Sequence, residues 1–370
     1  MSEARKRILN MVSEGKISVD QAEELLAALE TEQKSAPQGE SSSDRKKRLG
    51  DEIKSFAEQI QREVSQAMKG MNPQTQEIKD NAKKLGVWFQ GMVESVTQNF
   101  SKTFASSFDG IECDFTLGEP EGFASCKTAE VSNHYGAIQI REGSAFELRV
   151  KGRLAKMAFG SQTPQDWFAA NGLKVQDGTL IIGIDSFLPT KGGFDFELTI
   201  PAHLPLRCRV LSGDLNVTGN LTIERAQSVS GDLAFRQTSL RNCVIETVSG
   251  DVRVDEGVVD SDLKTSSGNL QVRRCQVHKM RAQFISGDIE VLEPKVDDAT
   301  VIDILTTSGN VCIANPSGGF GKVIANTRTG TLTSGWGGIS ISEAGNSIRQ
   351  EGLIGATLLI ETISGDIGLR

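Results

Sequence analysis

The chain is poor in the residues that catalysis and metal binding use most. It has three histidines in 370 residues, His134, His203 and His278, and none stands in a nucleophile or metal motif. The patterns G-x-S-x-G, H-E-x-x-H and the phosphate-binding G-x-x-x-x-G-K-[ST] are absent. The nearest approach to the last is "SGGFGK" at 317–322, where Lys322 precedes Val323, and it reads as a glycine-rich turn. The six cysteines (113, 126, 208, 243, 275 and 312) are far apart with no C-x-x-C, so zinc and redox chemistry are disfavoured. Most of them sit in alternating apolar stretches such as "NCVIE" and "NVCIA", which predicts buried free thiols. A net charge of −8 argues against a nucleic-acid partner, which calls for a basic face. Apolar runs are short. No stretch of about 18 apolar residues could cross a bilayer as a helix. The opening "MSEARKRILNMVSEGKISVDQ" has neither the apolar core nor the cleavage site of a signal peptide. These absences point to the cytoplasm and away from an enzyme, a metal site or a cofactor.

Aromatics make up only 5% of the chain, whereas glycine numbers 38, the mix of a turn-rich β protein. Four segments separate by composition. Residues 1–30 read as a helical hairpin, with Ile8, Leu9 and Val12 on one stripe and Leu25, Leu26 and Leu29 on another. Gly15 suits the left-handed end of the first helix, and Ser18 with Gln21 forms a capping-box start for the second. Residues 31–49 read as a flexible polar linker ending in the basic cluster Arg45–Arg48.

Residues 50–108 read as an amphipathic helical segment. Ile53, Phe56, Ile60, Val64 and Met68 recur on one helix face, and Pro73 breaks it. A second stripe runs through Ile78, Leu85, Trp88, Phe89, Met92, Val96 and Phe100. Trp88, Phe89, Met92, Val96 and Phe100 form a candidate face for an anionic membrane or a partner. The polar face is mixed in sign, which favours packing on protein: on itself, on the β domain or on another copy.

From residue 109 to 370 the period changes to two, the mark of strands. "GAIQIREGSAFELRVKGRL" and "GLKVQDGTLIIGI" alternate and are punctuated by glycine, as strands joined by tight turns would be. From about residue 210 a phrase repeats. Its turn residues are Ser212-Gly213-Asp214, Ser230-Gly231-Asp232, Ser249-Gly250-Asp251, Ser267-Gly268-Asn269, Ser286-Gly287-Asp288, Ser308-Gly309-Asn310 and Ser364-Gly365-Asp366, with Thr329-Gly330-Thr331 as a degenerate copy. Repeats of about 18–22 residues predict a β-solenoid, in which each coil buries its apolar face only against its neighbours. After each motif stand two apolar residues two apart, from Leu215/Val217 to Ile367/Leu369, which share one strand face. The stacked Asp and Asn could form a ladder.

Two chemical readings of that ladder are disfavoured. The nine-residue calcium-roll pattern has half this period, and here one carboxylate stands per turn and two copies carry Asn. A glycosidase needs two positioned carboxylates, whereas Asp214, Asp232, Asp251 and Asp288 recur as turn residues do. A last coil that ended the stack would leave an unpaired edge, to be covered by the helical segment or by a second chain.

The repeats, with "FELTIPAHLPLRCRVLSGDLNV" leading into them, resemble the bacterial β-strand-repeat family of domain of unknown function 4097, whose members carry the adhesin label. The likeness covers roughly residues 130–370. "ILNMVSEGKISVDQAEELLAAL" is similar to the N-terminal helical domain of YvlB- and LiaX-like proteins of Gram-positive bacteria. The resemblance implies a non-enzymatic role in the cell-envelope stress response, through protein contacts, self-association or membrane-surface contacts at the inner face of the membrane. The alternative is a surface-exposed adhesin-like or antimicrobial-binding protein, followed by a carbohydrate-active enzyme on a β-helix. The segment at 50–105 departs from those relatives.

Overall fold

The computed structural model describes residues 110–155, 162–184, 193–337, 339–342, 345–352 and 355–370. The expected hairpin, linker and amphipathic segment, with Trp88, Phe89, Met92, Val96 and Phe100, lie outside these residues.

The described chain is mainly β. It opens with β1 (Gly110–Leu117), β2 (Thr128–Tyr135), β3 (Ile138–Glu142) and β4 (Glu147–Ala155). A short helix, α1 (Pro164–Asn171), precedes β5 (Leu173–Gln176), β6 (Thr179–Ile182) and β7 (Phe194–Ile200). The repeats then alternate a long strand with a four-residue one. These are β8 (Leu206–Ser212) and β9 (Leu215–Thr218), β10 (Thr222–Ser230) and β11 (Leu233–Arg236), β12 (Ser239–Ser249) and β13 (Val252–Asp255). Next come β14 (Val258–Ser267) and β15 (Leu270–Arg273), β16 (Gln276–Ser286) and β17 (Ile289–Leu292), β18 (Val301–Ser308) and β19 (Val311–Ala314). β20 (Phe320–Thr329), β21 (Leu332–Ser334), β22 (Ser347–Glu351), β23 (Ala356–Ser364) and β24 (Ile367–Leu369) complete the chain.

Each coil gives one strand to each of two twelve-stranded sheets. The order in one is β1-β4-β7-β3-β9-β11-β13-β15-β17-β19-β24-β21, and in the other β22-β20-β23-β18-β16-β14-β12-β10-β8-β2-β6-β5. Neighbouring coils pair parallel and in register, as in Leu233↔Val252 and Phe235↔Val254. The apolar residues two apart therefore stack in columns: Leu215, Leu233, Leu270, Ile289, Ile313, Ile367 and Leu369 are fully buried between the sheets. The long strands bend at register shifts, one of them beside Asn242, whose φ is 47°. The solenoid is thus a two-sheet stack with a corner in its longer wall.

Chain order is broken at both ends of the stack. β3 lies between β9 and β7, and β2 between β8 and β6. The expected tight turn between β3 and β4 is therefore no hairpin, because β7 sits between them. At the other end β23 lies between β18 and β20, and β24 between β19 and β21. The last Ser-Gly-Asp is an internal rung. This corrects the expectation of an open edge there: Gly365 N–H donates to Thr329 O on one side, and Gly309 N–H to Ser364 O on the other. The degenerate Thr329-Gly330-Thr331 coil is the terminal one; β22 covers its β20 by antiparallel pairing, and β21 is the last strand of the other sheet. Antiparallel strands also close the opposite end, β5 on β6 and β4 on β7. Antiparallel ends interrupt the parallel stacking that would otherwise continue into another molecule.

Helix α1 plugs the same end. Thr163 caps it by accepting Asp166 N–H (3.1 Å), and Pro164 occupies the first turn, where no N–H is needed. Its Phe168 is buried among Phe115, Phe194 and Phe196, with ring centroids 5.8–6.0 Å away.

Candidate functional site

The repeated turn is the first place to look for chemistry. In Gly213, Gly231, Gly250, Gly268, Gly287, Gly309 and Gly365, φ lies between 130° and 143°, a region that side chains disfavour. The glycines stack along the solenoid. A Cβ on any of them would fall on the carbonyl oxygen of the glycine in the adjacent coil, starting from Gly136. They do not point into the core, as a continuous strand would have them do.

The Asp and Asn residues stack beside that column. Oδ1 of Asp214 accepts the backbone N–H of Asp232 (2.9 Å), Asp232 that of Asp251 (2.9 Å) and Asp251 that of Asn269 (2.9 Å). The series continues from Asn269 to Asp288 (2.9 Å), Asp288 to Asn310 (2.8 Å), Asn310 to Asp366 (2.9 Å) and Asp366 to Thr331 (2.7 Å). Each side chain caps a neighbouring coil. An amide oxygen serves as well as a carboxylate, which is why Asn substitutes in two copies. The serines of the motif supply the partner bonds: Ser230 O accepts Gly213 N–H (3.0 Å), and Ser249 O accepts Gly231 N–H (3.2 Å). Two residues before Ser249, Ser267 and Ser308, the buried Thr247, Thr265 and Thr306 donate back to those serine carbonyls at 3.3–3.4 Å.

The ladder ends on Asp366, which also accepts the Thr331 hydroxyl (2.9 Å). The Thr331 backbone N–H, then its hydroxyl, hold the Asp366 carboxyl below its ordinary value of 3.8. Because the folded value is depressed, this contact stabilises the terminal coil above pH 3.8 and is lost as pH falls through the lower folded value. The Thr331 amide resonance is expected to titrate with a midpoint below 3.8. In an Asp366→Asn variant that titration should vanish.

The second corner of each coil was not legible in the sequence. Gln237, Glu256, Arg274, Glu293 and Asn315 occupy left-handed backbone positions, with φ between 51° and 58°. Each backbone N–H there donates to the adjacent coil, as Glu256 N–H does to Arg273 O (3.0 Å). The side chains above them interlock, Arg274 with Glu256 at 3.1 Å and with Asp255 at 3.5 Å.

The outer charges are paired rather than gathered. On β1, β4 and β7, Arg149 grips Asp114 with two hydrogen bonds (2.8 and 2.9 Å), and Lys151 pairs with Glu197. The Arg149 hydrogen bond holds the Asp114 carboxyl low, and the Lys151 hydrogen bond does the same to Glu197. That is the opposite of what a general acid needs at neutral pH. These pairs border an open groove of about 590 Å³, lined by Glu112, Cys113, Asp114, Lys151, Gly152, Arg153 and Gly193. His278 stands apart on the surface, 3.8 Å from Asp297. Among the described residues no three His, Cys, Asp or Glu side chains are placed to share a metal ion. All six cysteines are thiols rather than disulfides; five are buried and Cys312 is half-buried. Burial pushes the Cys208 thiol up to about 12, so it is no nucleophile.

Comparison with known proteins agrees with the repeat architecture. Residues 205–343 match the family model described as Toastrack DUF4097. Residues 3–34 match a SHOCT-like domain. Likeness to the YvlB- and LiaX-like proteins is not carried by these matches. Similar solved structures include a "putative adhesin" from Bacteroides fragilis NCTC 9343, 14% identical, covering 71% of this chain and 98% of its own, with a TM-score of 0.39. A "putative cell adhesion protein" from Clostridium sporogenes ATCC 15579 is 10% identical over 70% of this chain and 99% of its own, with a TM-score of 0.22. A "putative lipid binding protein" from Parabacteroides distasonis ATCC 8503 is 12% identical over 71% and 98%, with a TM-score of 0.32. No curated protein matches the chain.

Proposed function

We propose that this chain, with its Toastrack DUF4097 repeat at residues 205–343, is a non-enzymatic scaffold whose rigid solenoid presents surfaces to a partner. One observation carries the reading. The most repeated polar groups of the molecule, the Asp and Asn of the turns, are used up in capping the backbone of adjacent coils. The paired charges on the outer faces leave the same impression: polar side chains here hold the stack together. What the solenoid offers is shape and a fixed spacing.

The finer proposal is a regulatory role in the cell-envelope stress response, at the inner face of the membrane. Its support is in the sequence. The N-terminal segment resembles that of envelope-stress proteins, and the spacing of Trp88, Phe89, Met92, Val96 and Phe100 in the sequence would put them on one face of an amphipathic helix. Protein partners, self-association and anionic lipid are the contacts this face could make. Co-sedimentation of the full chain with anionic and neutral vesicles tests the membrane part, with Trp88→Glu/Phe89→Glu as the comparison. Binding to anionic vesicles alone, lost in the double variant, is the expected result. Absence of binding by the unaltered chain would overturn the membrane part.

A further inference from the structure

The register of the long strands places a mainly aliphatic row of side chains where polar ones are the rule. In the sheet built from them, Val210, Ser228, Thr247, Thr265, Phe284, Thr306 and Thr362 align across seven coils and face the core. Side chains alternate along a strand, so the residue after each faces outward. Those next residues are Leu211, Val229, Val248, Ser266, Ile285, Thr307 and Ile363, aliphatic in five of the seven coils. Val248 and Ile285 are 7% and 5% exposed, although neither belongs to the core cluster between the sheets. A stripe that is aliphatic except at Ser266 and Thr307 thus runs lengthwise along the outer face, flanked by the polar row of Arg209, Gln227, Glu246 and Lys264.

We infer that this stripe is the docking site of the chain's own segment 78–100, laid along the solenoid axis. The dimensions match. Seven coils at about 4.8 Å per strand give a stripe of about 29 Å. A helix of 23 residues rises about 33 Å, and its turn of about 5.4 Å presents one apolar position to roughly each coil. The segment carries that pattern in Ile78, Leu85, Trp88, Phe89, Met92, Val96 and Phe100. The connection reaches. Residues 101–109 span up to about 30 Å when extended. They join the segment to β1, which lies four strand positions from β9 in its sheet, about 19 Å along the stack. The mixed charges beside the stripe suit the mixed polar face of the segment, which carries Lys79, Asp80, Lys83, Lys84 and Glu94. This goes beyond the scaffold reading and concerns the chain without lipid, so either can fail alone.

Hydrogen–deuterium exchange of the full chain in solution tests it, against Val229→Lys/Val248→Lys on the stripe and Met92→Lys on the segment. In the unaltered chain the amides of 78–100 should be protected. In both variants their exchange should speed by about tenfold or more, while the strand Leu270–Arg273 keeps its protection. Met92→Lys leaves the stripe untouched, so it decides the matter if the stripe variant loses its coils. Three results would each overturn the inference: no protection in the unaltered chain, protection that survives Met92→Lys, or protection that grows with protein concentration and so reports a second copy.

Discussion

Removing residues 356–370 is expected to unfold a coil that the deletion does not touch. β23 and β24 form an internal rung, so their loss leaves β18 and β19 without partners on one side and β20 and β21 without partners on the other. Leu358, Ile360, Ile367 and Leu369 are fully buried, and burial of each such side chain stabilises by about 1.5–3 kcal/mol. The deletion also removes Arg370 O, which accepts Asn315 N–H (2.8 Å) and the Trp336 Nε1–H (2.9 Å). In a stack stabilised by nearest-neighbour contacts, an internal coil contributes two interfaces and a terminal one contributes one. The expected loss at this end is therefore at least about 5 kcal/mol. In hydrogen exchange, the amides of Phe320–Thr329 should approach unfolded rates while those of β14 and β16 stay protected. Retained protection over 320–329 would mean that the terminal coil re-pairs directly with β18, against this account.

Gly268→Ala has the second large effect. The new Cβ would meet two obstacles at once. The φ of +138° disfavours a side chain, a cost of about 1–3 kcal/mol. The methyl would also press on the Gly250 carbonyl, a backbone group of the adjacent coil. Relief requires those two coils to separate, which breaks the bonds from Gly250 N–H to Ser267 O (3.2 Å) and from Val252 N–H to Asn269 O (2.8 Å). A loss of at least about 3 kcal/mol is expected in urea unfolding, among the larger effects of single substitutions. Gly319→Ala is the control. Nothing lies within 4 Å of a Cβ built there, so its change should stay within about 0.5 kcal/mol.

The repeated coils were legible because their chemistry is local. A glycine that tolerates unusual backbone angles, then Asp or Asn, then two apolar residues two apart, is enough to mark a turn and the strand after it. The order of the coils was not legible. Every long strand presents much the same inward pattern, so β20 and β23 are interchangeable by composition. The spacing of 35 from Thr329 to Ser364 read only as a longer gap. The second corner escaped because Gln237, Glu256, Arg274 and Glu293 carry no turn signature. Their left-handed conformation costs about 1–2 kcal/mol each and is held by bonds to the adjacent coil, not by the residue type. Helix α1 did leave a signal, the Thr163-Pro164-Gln165-Asp166 cap, which a search for helix starts would have found. At the turns, the sequence showed which residues recur but not what they hold. Stacking at the repeat suggested a ladder of Asp and Asn, and only the structure shows its bonds, each from a side-chain oxygen to a backbone N–H 18 to 22 residues further on in the regular coils.

That reach is the centre of the account, and Asp288 tests it most directly. Its Oδ1 accepts Asn310 N–H (2.8 Å) and lies 3.2 Å from Asn310 Nδ2. Urea unfolding of Asp288→Asn and Asp288→Ala should separate the two variants. The Asn variant keeps the oxygen and should stay within about 0.5 kcal/mol of the original, whereas the Ala variant leaves the N–H uncapped and should lose about 1–2 kcal/mol. If Asn costs as much as Ala, the turn needs the charge of the carboxylate rather than its oxygen, and the capping ladder is the wrong explanation for the repeat.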